Sequence, residues 1–157
     1  MKEIQLSQGM VALVDDEDFE GLNQFRWYAN KVRSTFYARR NIAIDGKRTC
    51  QLMHCKIMNA KGIDHINHNG LNNQKSNLRV CTNSENAMNR IKRKNTSSIY
   101  KGVAFNKRLG KWQAQIMINR KIIYLGYFDT EVEAAKAYNA KATESFLEFA
   151  NLNIVPS

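Results

Sequence analysis

The chain has 157 residues, a formal net charge of +10 and 43% hydrophobic residues. That apolar content excludes a chain disordered throughout, and the length allows one ordinary domain or two small ones. No stretch approaches the roughly 18–20 apolar residues of a membrane span, so a membrane partner is not expected and the positive surplus points to a polyanion, nucleic acid first.

The N-terminus, Met1-Lys2-Glu3-Ile4-Gln5, has no apolar signal core, which sets the expectation of a cytosolic protein. Cys50, Cys55 and Cys81 form no Cys-x-x-Cys pair and are expected to be free thiols. Charge is uneven along the chain. Asp15, Asp16, Glu17, Asp18 and Glu20 form an early acidic cluster, whereas no Asp or Glu occurs from Asn86 to Phe128. Surfaces usually interleave both signs, so an uncompensated basic stretch marks a nucleic-acid contact region.

Taken in chain order, residues 1–60 read as a small α+β module. Val11 and Leu13 mark a short strand, and Asp15 or Asp16 can cap a helix through Leu22 with acids at its positive end. Trp27 to Lys31 and Thr35 to Ile42 read as strands. Asp45-Gly46 is a hairpin turn leading to a strand near Thr49–Leu52, and Met53 to Met58 begins a short helix. Residues 61–90 read as strand, long loop, strand and helix. Ile63 ends the first strand, His65 to Asn77 is the loop, Leu78 to Cys81 alternates as a strand, and Thr82 or Ser84 caps a helix to about Arg90. This unit is too small to fold alone and needs core from residues 1–60.

Residues 91–99 form a basic connector. Beyond it, Gly102 to Asn106, Lys111 to Asn119 and Lys121 to Phe128 read as three antiparallel strands, with turns at Leu109-Gly110 and Asn119-Arg120. Thr130-x-x-Glu133 is a capping-box signature opening a helix with Ala135, Tyr138 and Ala142 on one face. Phe105 and Tyr127 are expected in the core. The expected architecture is α+β, divided into 1–90, 91–99 and 100–152.

Asp64-His65, Asn77 and Asn86 together carry residue types suited to hydrolysing a phosphodiester. Histidine can take a proton from water near neutral pH. A carboxylate and an amide oxygen suit a hard divalent cation, which stabilises the departing oxygen as a Lewis acid. A further amide can hold the base in one orientation. Neighbouring residues on a strand point to opposite sides, so Asp64 and His65 can serve one phosphate only if the strand bends after them.

Asp64-His65-Ile66-Asn67, Asn69-Gly70-Leu71-Asn72-Asn73 and Ser76-Asn77-Leu78-Arg79 resemble the HNH endonuclease signature, in the form found in phage and group I intron homing endonucleases. The resemblance implies a ββα-metal nuclease unit in a phage or mobile-element setting, placing the protein in a bacterial or phage-infected cytosol. It implies His65 as general base, Asp64 and Asn86 as metal ligands and Asn77 as the residue orienting His65. Mg²⁺ is the expected ion, with Mn²⁺ second. Asn86 stands where the final histidine of the acronym falls. His54, often followed by arginine in relatives, is followed here by Cys55; it packs beside the site or touches a phosphate.

Tyr100-Lys101-Gly102-Val103, Gly110-Lys111-Trp112-Gln113-Ala114, Leu125-Gly126-Tyr127-Phe128 and Glu133-Ala134-Ala135-x-Ala137-Tyr138 resemble the apetala/ethylene-response-factor type of DNA-binding domain. The resemblance implies a three-stranded sheet backed by one helix, with the sheet in the major groove of double-stranded DNA. A β-ribbon fits that groove, and alternation turns one set of side chains outward. Lys92, Arg93, Lys94, Lys101, Lys107, Arg108, Lys111, Trp112, Gln113, Gln115 and Lys121 are the candidate DNA contacts, and Trp112 fits a core position equally well. The leading reading is a DNA-nicking endonuclease, expected as a monomer because no pairing signal is present. A non-catalytic regulatory DNA binder is the alternative, and an RNA binder is supported only by charge and aromatics.

Overall fold

The computed structural model describes residues 1–92 and 96–156; Arg93 and Lys94, both candidate DNA contacts, lie outside the described residues. Helices and antiparallel sheets occur together, as the α+β expectation requires. The chain divides after Thr82 into two compact units.

In the first unit, β1 (Lys2–Gln5) pairs antiparallel with β2 (Val11–Val14). The sequence pattern gave no notice of β1, because only Ile4 of its four residues is buried. Helix α1 (Asp16–Asn23) follows, with Asp16, Glu17 and Asp18 in its first turn, at the positive end of the helix dipole. Strands β3 (Tyr28–Val32), β4 (Thr35–Ile44) and β5 (Lys47–Leu52) form a meander. Its second turn is Asp45-Gly46, both in the left-handed region (φ 50° and 74°), as a two-residue hairpin turn demands. The core gathers Ile4, Ala12, Val14, Leu22, Trp27, Ala38 and Met53. Trp27 buries its ring while Nε1 donates to the Leu22 carbonyl at 2.9 Å, so its one polar atom is satisfied.

Alternation along β4 turns Ala38 and Arg40 toward this core, and the Arg40 guanidinium lies 3.5 Å from the Phe25 ring centroid. Tyr37 is thereby turned to the other face. Helix α2 (Met53–Met58) leads to β6 (Ile63–His65), which pairs antiparallel with β7 (Leu78–Val80) across the polar 66–77 loop.

The second unit contains α3 (Asn83–Met88), then β8 (Val103–Asn106), β9 (Lys111–Ile118) and β10 (Lys121–Phe128) in a sheet with β9 central, and α4 (Glu131–Phe146) packed on the sheet. The capping box forms. Thr130 Oγ1 accepts from Glu133 N at 3.2 Å, and Glu133 Oε2 accepts from Thr130 N at 3.1 Å. Ala134, Ala135 and Ala142 are fully buried, so the small residues let α4 lie close to the sheet.

Two expected core aromatics are exposed instead. Phe105 is 39% exposed because it sits on the edge strand β8, where its ring covers Trp112 at 5.0 Å between centroids. Tyr127 is 50% exposed. A bulge between Tyr124 and Gly126 inserts one extra residue, so Tyr127 pairs with Gln113 rather than Trp112 and turns to the face away from α4.

Candidate active site

The site begins where β6 ends. Asp64 and His65 are adjacent, buried (6% and 5% exposed), and directed differently by the strand. Asp64 Oδ2 accepts from Arg79 Nε at 3.0 Å and Nη2 at 2.8 Å, across the β6–β7 register that pairs these two residues. The chain bends immediately after His65. His68 N donates to the His65 carbonyl at 3.0 Å, and Ile66 N to that of Asn77.

His65 Nε2 lies 3.3 Å from Asn73 Oδ1. Asn73 is wholly buried, and its own Nδ2 donates to the Leu71 carbonyl at 3.2 Å. The Asn73 oxygen faces the ring as an acceptor, and in the tautomer with the proton on Nε2 the imidazole donates to it and carries its lone pair on Nδ1. Asn73 is in turn fixed by β2. Leu13 N donates to Leu71 O and Asn73 N to Leu13 O, both at 2.8 Å. Asp15, expected to cap α1, makes no cap hydrogen bond. It accepts from Gln74 Nε2 at 3.2 Å and Lys75 N at 2.8 Å, tying the loop to the N-terminal module.

Sequence reasoning expects Asn77 to orient His65; the hydrogen bonds give that place to Asn73. Asn77 Oδ1 accepts from Asn67 N at 3.0 Å and Nδ2 donates to Asn72 O at 2.8 Å, so both ends of its amide brace the loop backbone. His54 is buried on α2, with its ring edge-on to His65 at 4.8 Å. Tyr37 stands 5.8 Å from His54 and 5.7 Å from His65. Desolvation, then the neighbouring His65, push His54 down to about 4, so it is neutral near pH 7. Burial also lowers His65, against smaller upward pulls from Asn73 and Asp64. A neutral imidazole is the form a general base needs.

Asn73, Tyr37 and Arg79 were missed as parts of this site. The only signal was the abundance of asparagine in the loop, which does not say which one faces the ring. Asn86 lies exposed on α3 in the second unit. The conserved chemistry of hard cations asks for oxygen donors. Among the described residues no group of three or more His, Cys, Asp and Glu gathers. Asp64 nevertheless fits a Mg²⁺-like ion, which is commonly held by one or two carboxylates with the remaining positions left to phosphate and water.

In the second unit the register sorts the candidate DNA contacts. Gln113 and Gln115 lie on the face away from α4, alternating with Ala114 and Ile116, which are buried on the other face. Trp112 is on the α4 side, packed on Val103 and Ala114, so it belongs to the core rather than the outer face. Lys101 is half-buried; its ammonium donates to the Met88 carbonyl at 2.6 Å, and burial pushes it down to about 8. Lys107, Arg108, Lys111 and Lys121 are exposed at the ends of the sheet, and Lys111 pairs with Asp129 at 3.0 Å. Lys121 pairs with Ile118 in register, which sets it on the α4 side of the sheet. Lys92 lies half-buried ahead of the sheet. Cys50 and Cys55 are free thiols, as expected, and Cys81 is buried and in no disulfide. Among the described residues no helix is long and apolar enough to cross a membrane.

Strand, bent loop, strand and a buried histidine beside a carboxylate define a phosphodiester-cutting class, and comparison with known proteins agrees. The HNH endonuclease family pattern matches residues 43–88. The chain is 31% identical over 147 residues to an uncharacterized HNH endonuclease of Acanthamoeba polyphaga mimivirus, covering 93% of this chain and 76% of that protein. The chain belongs to the HNH endonuclease family, and is a DNA nuclease by that membership.

A C-terminal module is similar to plant DNA-binding proteins. It is 50% identical over 48 residues to APETALA2-like protein 2 of Oryza sativa, and 42% identical over 59 residues to an AP2-like ethylene-responsive transcription factor of Arabidopsis thaliana. These matches span only 11% and 12% of those proteins. No solved structure matches the chain.

Proposed function

We propose that this nuclease nicks double-stranded DNA with the help of a divalent metal, Mg²⁺ in the first instance, and that its AP2-like module directs it to a site. His65 Nδ1 takes the proton of the attacking water. The single observation that supports this is the Asn73–His65 contact, Oδ1 to Nε2 at 3.3 Å, which faces Nε2 with an acceptor and favours the tautomer protonated there. Asp64 holds the ion as a carboxylate ligand; the assignment of Asn86 as second ligand rests on its place in the sequence pattern. When bound, the metal supplies Lewis-acid stabilisation of the departing oxygen. Arg79 holds the Asp64 carboxylate in place through two hydrogen bonds, and Asn77 keeps the loop bent. His54 and Tyr37 wall the ring and hold its orientation. We place the protein as a monomer acting in a bacterial or phage-infected cytosol, within a homing or other mobile-element setting.

The test is incubation with supercoiled plasmid, with Mg²⁺, with Mn²⁺ and with chelator. Conversion that requires the metal supports the reading, and equal conversion in chelator removes the metal from it.

A further inference from the structure

The centre of the outward face of the β8–β10 sheet is built from amides and apolar groups; Lys111, two residues before Gln113 on the same face, stands at its end paired with Asp129. Resting on the reading that this module grips duplex DNA, we infer that this face selects A·T-rich major-groove sequence. Gln113, Gln115, Met117, Ile122, Tyr124 and Tyr127 occupy it, joined by the register in the cross-strand pairs Gln113–Tyr127, Gln115–Tyr124 and Met117–Ile122. Met117, Tyr124, Tyr127 and Ile122 are 61%, 67%, 50% and 49% exposed, so this is an open surface and not core.

Base chemistry discriminates here. Guanine shows the major groove two acceptors, which arginine or lysine reads with donors. Adenine shows one acceptor and one donor, which an amide matches by giving one hydrogen bond and taking one. Thymine adds a methyl group, which an apolar side chain covers. Gln113 and Gln115 supply the amides; Met117 and Ile122 supply apolar contact. None of the six can make the paired donation that guanine prefers from a cation. The glutamines are two residues apart on one strand, about 6.8 Å, which is about two base steps. Gln113 Nε2 already points at Gln115 Oε1 at 3.5 Å, so the two amides run head to tail.

The charges choose the occupant. Lys107 and Arg108 lie in the β8–β9 turn and Arg120 in the β9–β10 turn, all exposed. Cations at both ends of an uncharged strip match a groove with a phosphate wall on either side. A second copy of the same face would bring Asp129, which is already paired with Lys111.

The experiment selects bound duplexes from a randomised library with the full chain carrying His65→Ala, which keeps the DNA uncut. The expected result is a motif with an A·T core. Gln113→Ala and Gln115→Ala each relax one position about tenfold, while non-specific affinity holds. Lys107→Ala weakens all sequences alike and lowers the salt slope. A G·C-centred motif, no preference with binding retained, or unchanged specificity in both glutamine variants overturns the inference. Absence of any duplex binding instead overturns the reading on which it rests. A dimer mass abolished by Tyr124→Lys also overturns the inference, assigning the face to a second copy.

Discussion

Asn73 holds His65 by its ring: Oδ1 lies 3.3 Å from Nε2, with both residues buried. The contact links the N-terminal module to the chemistry, because Leu13 of β2 clamps the backbone on which Asn73 sits. Removing the amide leaves the imidazole free to turn and to exchange tautomers. Asn73→Ala is expected to slow cleavage about 10–100-fold, the usual scale for a group that orients a reacting ligand, with DNA affinity unchanged. Single-turnover rates alongside a binding isotherm check this; a rate equal to wild type removes Asn73 from the positioning role.

His54 makes the first unit acid-sensitive. Its pKa is about 4 in the fold and about 6.5 in an unfolded chain, so between those values the unfolded state binds more protons. Stability is therefore complete above about pH 6.5 and falls as pH drops toward 4, by on the order of 2–3 kcal/mol for this one group. Denaturant midpoints measured between pH 7.5 and 4.5 should fall in wild type and fall less in His54→Phe. Parallel curves for the two proteins would assign the acid sensitivity elsewhere.

Gly102 has φ +76°, and a Cβ there would collide with the Tyr138 ring and stand 2.7 Å from the Gln115 carbonyl. Both conformation and space therefore exclude a larger residue. Gly102→Ala is expected to destabilise the second unit by roughly 1–3 kcal/mol and to weaken DNA binding in proportion. Thermal melting checks the first effect. An unshifted melt means the Tyr138 packing yields freely.

Much of this was legible in advance where local chemistry decides. The Asp45-Gly46 turn, the Thr130–Glu133 capping box and the alternation of β9 depend on neighbours in sequence. What failed depends on long-range pairing. Tyr127 turned outward because of a bulge that no residue type announces. Asp15 stands at the N-cap of α1, but its carboxylate turns to Gln74 and Lys75, about sixty residues away in sequence. Asp64 and His65 stand out as an unusual pair. Asn73 does not stand out among Asn67, Asn69, Asn72 and Asn77; only the register of the 71–73 segment on Leu13 turns it toward the ring.

One Asp64–His65 pair per chain reaches one scissile phosphate at a time. With limiting enzyme, supercoiled plasmid should become open circles well before linear DNA appears. Prompt linear product together with a dimer mass in solution would require paired subunits.

The most direct test is the single-turnover cleavage rate of His65→Ala at saturating DNA and Mg²⁺, with the dissociation constant measured on the same preparation. A general base contributes typically 10²–10⁴-fold, so the rate should fall by that factor while the dissociation constant stays near wild type. Cleavage at the wild-type rate, in protein that binds and melts normally, would contradict His65 as the base.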